Sequence, residues 1–279
     1  MRLSKMSTIA ATALTALTLS LLSVVSAEAA PPTANGESET VASWDGSTLV
    51  VDESKLPVLR DSKKVSVGGT RSADGGCDFQ SPKLSLAPGE VSVVAREILI
   101  DNNRCTATWQ VGSPVNPNAF PATTAGPDTD SIAAMGTSQL SATPMATHTS
   151  SGFYKAWKTD VANLTLNYVQ SNIAWNWTGS CVTSVSGSGN WYWRSASGWE
   201  PPNPKSSTFA GSGCGARFVN TTGHYRNKGF CFPVTVYAHY DKVEVQGQAN
   251  GTLLGGATTS HSGNCLPFFD HRQLTRTAG

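Results

Sequence analysis

Charge is scarce in this chain. Only 14% of its residues are Asp, Glu, Lys or Arg, and 20 basic groups nearly cancel 19 acidic ones. No stretch gathers the basic stripe that phosphate neutralisation requires, so nucleic acid is not an expected partner. Past the N-terminal segment no run is apolar enough to span a bilayer, so no membrane span is expected in the mature chain. Helical periodicity is missing as well, which excludes a helical bundle. The six cysteines include no Cys-x-x-Cys pair, which argues against a structural zinc site. Nor is there a Gly-x-Ser-x-Gly elbow, a His-Glu-x-x-His helix or a phosphate-cradling glycine loop. No cofactor and no metal are therefore expected, and no residue is singled out as catalytic.

What is present begins with a leader. Residues 1–29 read as a secretory signal peptide: Arg2 and Lys5 precede the apolar stretch Ile9 to Val25, and Ala27-Glu28-Ala29 supplies small residues for cleavage. The chain is accordingly expected outside the cell, as a monomer. Residues 30–43 read as a polar, disordered N-terminus. Residues 44–111 read as a small β unit, 112–150 as a linker rich in Pro, Thr and Ala, and 151–279 as a larger domain. Within the linker, Ser131 to Leu140 could form a helical turn.

The fold class follows from period-two patterns. Ile173, Trp175 and Trp177 alternate with polar residues, and Trp191 and Trp193 repeat the spacing. Two adjacent antiparallel strands are predicted, joined through the Ser/Gly-rich stretch 184–189. Val91 to Ile100 and Cys105 to Val111 predict a hairpin about Asp101-Asn102-Asn103-Arg104. Phe230 to Tyr240 predicts a long strand, and Asn250-Gly251 a tight turn back. Gly198 to Pro204 must loop, because three prolines in four residues resist pairing in a sheet. The chain is thus predicted to be all-β: an antiparallel, sandwich-like C-terminal domain and a small hairpin-based N-terminal unit, stapled by disulfides.

Outside the cell, cysteines pair. Sequence leaves the connectivity open; the nearest-neighbour guess is Cys77 with Cys105, Cys181 with Cys214, and Cys231 with Cys265. Each loop of about 30 residues would be worth roughly 3.5 kcal/mol on the chain-entropy view.

Several stretches carry a resemblance: Tyr154-Lys155-Ala156-Trp157, Ile173-Ala174-Trp175-Asn176-Trp177, cysteines 181, 214, 231 and 265, Tyr237 to Asp241, and Asp270-His271-Arg272-Gln273-Leu274. In these the second unit resembles secreted actinobacterial proteins of no assigned function. The stretch from Pro88 through Ala95-Arg96-Glu97 to Cys105 looks like one met in similar secreted proteins. The resemblance implies an extracellular β-rich domain and carries over no catalytic residue.

Function is weighed on aromatics and ionisable groups. Trp175 and Trp177 read as core, whereas Trp199, in the proline-rich loop, is expected to face solvent, with Trp191 and Trp193 as further ligand contacts. His239 and Asp241 share a strand face that His224 or His261 could complete as a metal site; they read instead as wet surface groups, and so do Asp270-His271-Arg272. The leading expectation is a non-enzymatic binding module for a polysaccharide or cell-wall surface. The alternatives are an extracellular hydrolase using Glu200 with Asp241, Glu244 or His239, and a protease inhibitor presenting the 198–204 loop or the Cys214 region.

Overall fold

The computed structural model describes residues 40–71, 77–116, 119–120, 128–135, 146–231, 233–263 and 268–277. The expected signal peptide and Cys265 fall outside these residues, so the Cys231–Cys265 pairing does too. Ser38–Gly279 forms one compact unit.

Apart from short 3-10 turns, the described chain is built from sixteen strands, and every pairing is antiparallel. They are β1 (Ala42–Asp45), β2 (Thr48–Val51), β3 (Leu59–Arg71), β4 (Cys77–Phe79), β5 (Leu84–Leu86), β6 (Ser92–Asp101), β7 (Thr106–Pro114) and β8 (Asp128–Met135). There follow β9 (His148–Asp160), β10 (Thr165–Trp177), β11 (Val182–Trp193), β12 (Lys205–Ala210), β13 (Arg217–Cys231), β14 (Val234–Gly247), β15 (Leu253–Ser262) and β16 (Phe268–Thr277). One sheet has eleven strands in the order β4-β3-β7-β6-β16-β9-β10-β11-β8, with β2 pairing β6 and carrying β1. The other has five, β12-β13-β14-β15-β5. Together they curl into a half-barrel.

The division into a small unit, a linker and a large domain is not the division of this fold. The C-terminal strand β16 lies between β6 and β9, and β5 extends the second sheet from β15. In an isolated 44–111 sheet β2 would cover only the 99–101 end of that edge of β6, and pairing with β16 covers residues 92–96. Within the expected linker, residues 128–135 form β8 on the edge of β11 rather than part of a helical turn, and residues 136–140 lie outside the described residues. At the expected disordered N-terminus, Val41 and Ala42 are buried, packed with Leu49, Ile98 and Phe269.

The two tryptophan strands do pair, as β10 and β11, but the turn is elsewhere. Residues 184–189 lie inside β11, with Ile173 opposite Gly187, and the chain reverses at 178–181. The glycines answer to the second sheet, not to a turn. A Cβ at Gly187 would overlap the Asn172 carbonyl and the Val219 side chain, and one at Gly189 the Ser207 hydroxyl. Small residues there let the sheets approach. Ser171 Oγ then crosses the gap to Thr221 Oγ1 at 2.7 Å and the Val243 carbonyl at 2.6 Å.

The main core fills the space between sheets with Tyr154, Trp175, Trp191, Val219, Tyr240 and Leu253. Each buried Trp contributes about 4–6 kcal/mol as an upper bound. Two of the buried indoles reach carbonyls across the core: Trp175 donates to Gln248 O and Trp191 to Thr222 O. The hairpins at 101–105 and 248–252 form where the sequence places them, Gly251 taking φ +79° in the second. Two expected disulfides are present, Cys77–Cys105 and Cys181–Cys214. The second ties the β10–β11 turn of the large sheet to the β12–β13 loop of the small one.

Candidate functional site

The expected ligand contacts do not assemble. Trp199 is 2% exposed and Trp191 is fully buried, both in the main core; Trp193 is half-buried against it. The proline-rich loop is the reason. Glu200 N donates to Arg226 O, Asn203 N to His224 O, and His224 N to Pro204 O, so 200–204 runs along the edge of β13 using the amides that prolines leave. This draws Trp199 inward, its ring edge-on to Phe268 at 6.5 Å between centroids.

The Asp270-His271-Arg272 reading is also overturned. These residues lie on β16, in the interior of the larger sheet, and are 9%, 3% and 1% exposed. Asp270 and Arg272 face the space between sheets. Lys158 Nζ donates to Asp270 Oδ1 at 2.6 Å and Arg272 Nη2 to Asp270 Oδ2 at 2.9 Å. Arg272 also donates to Thr259 Oγ1 and lies over the Trp109 ring, while Lys158 lies over Phe268 and Tyr240. Asp270 N donates to Glu97 Oε2 at 2.9 Å. Aromatic faces thus substitute for part of the water these cations have lost.

Burial pushes Asp270 up, but Lys158 and Arg272 outweigh it and hold its carboxyl below the usual range. Burial, then the charge of Asp270, pushes Glu97 up to about 8. Carboxyls driven apart in this way resemble an acid–base pair. The void beside them, lined by Glu97, Asp270, Trp109, His261 and Phe268, measures about 30 Å³. That suits a water or two, not a sugar ring, and the cluster bonds the two sheets through Thr259 on β15.

A proton on Glu97 is held more tightly in the folded chain than in an unfolded one, where a glutamate titrates near 4.3. Its stabilising contribution is complete below about pH 4.3 and lost as pH rises to about 8. Glu97→Gln removes that loss and can still accept from Asp270 N. In urea unfolding at a series of pH values, the variant should gain on the wild type by up to about 1.4 kcal/mol per pH unit across this window. A difference independent of pH would mean that Glu97 is ionised in the fold.

On the opposite face of the large sheet, beneath Leu56, Pro57 and Phe120, a cavity of about 200 Å³ is lined by Arg96, Trp157, Thr159 and His271. His271 stacks on Trp157 and shares a hydrogen bond with Thr159 Oγ1. Burial, then Arg96, lowers it to about 3, and burial lowers the neighbouring Lys155 to about 7.

The remaining candidates meet on the solvent face of the five-stranded sheet. His224 on β13 pairs with His239 on β14, ring centroids 4.5 Å apart, and Tyr237 lies 5.9 Å beyond His239. Period-two alternation makes this row: Val236, Ala238 and Tyr240 point into the core, so Tyr237, His239 and Asp241 point out. Tyr237 is 40% exposed. His224 Nε2 lies 3.1 Å from Asp241 Oδ1, and Ser260 Oγ donates to Asp241 Oδ2 at 3.5 Å. Burial, then His224, lowers the pKa of His239. Glu200 is held by Arg226, opposite Tyr237, and by Lys228; the Arg226 hydrogen bond keeps its carboxyl below the ordinary range. The proposed hydrolase carboxylates are therefore each engaged with a cation or an imidazole. Glu244, the other candidate, pairs with Lys242 at 2.6 Å.

Fold and site together define an all-β, disulfide-bonded protein of antiparallel sheets with a ring-bearing outer face. The chain matches no family model, no curated protein and no solved structure.

Proposed function

We propose that this chain is a non-enzymatic extracellular binding module that recognises a polysaccharide or cell-wall surface through the solvent face of its five-stranded sheet. The observation that supports this is the row Tyr237, His239 and His224, flat rings on an open strand face flanked by Arg226, Glu200 and Asp241. Flat rings stack on sugar faces, while the charged and amide groups around them bond hydroxyls. A polymer needs an open surface of this kind, whereas a small ligand is held in a concave pocket. The expected signal peptide, the two disulfides and the resemblance to secreted actinobacterial proteins support the extracellular setting.

Tyr237→Ala removes an exposed ring without opening the core. Its retention on the insoluble glycan that the wild type binds should fall at least about tenfold, a loss of about 1.4 kcal/mol. The panel should include cellulose, chitin, xylan and peptidoglycan. No retention of the wild type on any of them, or equal retention of the variant, would sink the proposal.

A further inference from the structure

We propose that His224, His239 and Asp241 form a site for a divalent transition cation, with zinc the leading occupant. The site shares His224, His239 and Asp241 with the face proposed to bind glycan, yet it does not rest on that reading: it would hold on a sheet that bound no polymer.

The backbone places the ligands. His224 and His239 are directly opposite on adjacent antiparallel strands, a relation that sets Cβ atoms about 4.5–5.5 Å apart on one face. Asp241 follows His239 by two residues and returns to that face. One ligating atom from each of the three lies within 4.8 Å of the others. A zinc ion about 2.0–2.2 Å from each nitrogen and oxygen requires only small side-chain rotations to draw them in.

The donor set selects the metal. Two imidazoles and one carboxylate suit zinc, copper or nickel, whereas calcium and magnesium take oxygen ligands. Ser260 Oγ, 3.5 Å from the second Asp241 oxygen, orients the carboxylate from outside the ligand shell. Three protein ligands leave the fourth tetrahedral position to water or to a ligand from solution.

A surface ion pair between His224 and Asp241 is the simpler account of the 3.1 Å contact, and it requires nothing of His239. The two accounts therefore separate at His239. The full chain, free of any histidine tag, is titrated with zinc chloride in a calorimeter. One saturable site is expected; His239→Ala and His224→Ala should each weaken it by at least about tenfold, and Tyr237→Ala should leave it unchanged. Cobalt(II) should give the visible absorption of a tetrahedral nitrogen–oxygen site in the wild type and lose it in the double His variant. Thermal melts of these surface variants matching the wild type would show that the fold is intact. No saturable zinc uptake, or uptake and cobalt spectrum unchanged in the double variant, would overturn the inference. Zinc uptake retained in Tyr237→Ala, whatever its glycan retention, would show that the cation is held by the His–His–Asp cluster and not by the aromatic row.

Discussion

Asp270→Asn should destabilise the protein by about 3–5 kcal/mol in urea unfolding at neutral pH. The side chain keeps its volume but loses its charge. Lys158 and Arg272, each 1% exposed, then remain in the core with no ionised carboxylate bonded to them. The cost of an unpaired buried cation, more than the value of the pair itself, sets this magnitude. Among the described residues, Glu97 is a carboxyl placed to respond. Without the negative charge of Asp270 it loses one of the forces that raise its pKa, and the two cations now favour its ionised form. Ionisation of Glu97 should recover part of the loss, so the Glu97→Gln/Asp270→Asn double variant should be less stable than the sum of the singles. A loss below about 1 kcal/mol for Asp270→Asn would show that the cluster does not lock the sheets together.

Trp199→Ala should cost about 3–5 kcal/mol, the usual toll for emptying a large aromatic site in a core. For a unit of this size that lowers the melting temperature by on the order of 10 °C. Measured well below its own melting point, the variant should bind glycans like the wild type, because Trp199 lies inside and the proposed contact surface outside. Unchanged stability with lost glycan retention would instead place this ring at the ligand. The pair Trp199→Ala and Tyr237→Ala thus tests which aromatic is core and which is contact.

Much of the fold was legible because strand periodicity is local. The Val91–Ile100 hairpin, the Asn250-Gly251 turn and the core position of Trp175 need only neighbours along the chain, and nearest-neighbour pairing holds for the first two cysteine pairs. The misreadings share one cause. Ser184–Gly189 looked like a turn because glycine and serine often make turns, yet here they are small because another sheet lies against them. Trp199 looked exposed because prolines usually mark surface loops, yet its loop bonds to the edge of β13. Asp270, His271 and Arg272 looked wet because charge usually is. One signal was available: Asp270 and Arg272, two apart and opposite in sign, share a strand face and can pair in the interior. The outer row was partly legible, since His239 and Asp241 alternate on one strand. His224 is 15 residues away in sequence, and only the β13–β14 register places it opposite His239.

The amino-acid sequence by itself determined the β character, the tight turns and which residues of each strand share a side, because steric preference and period-two patterning act over a few residues. Tertiary structure alone decided that the N-terminal and C-terminal strands share one sheet, which ionisable groups lie inside, and which rings reach solvent. Those outcomes depend on which strand lies beside which. Pairing between segments more than a hundred residues apart, such as β6 with β16, is set by the closing of exposed edges and by burial between layers, which no local pattern encodes.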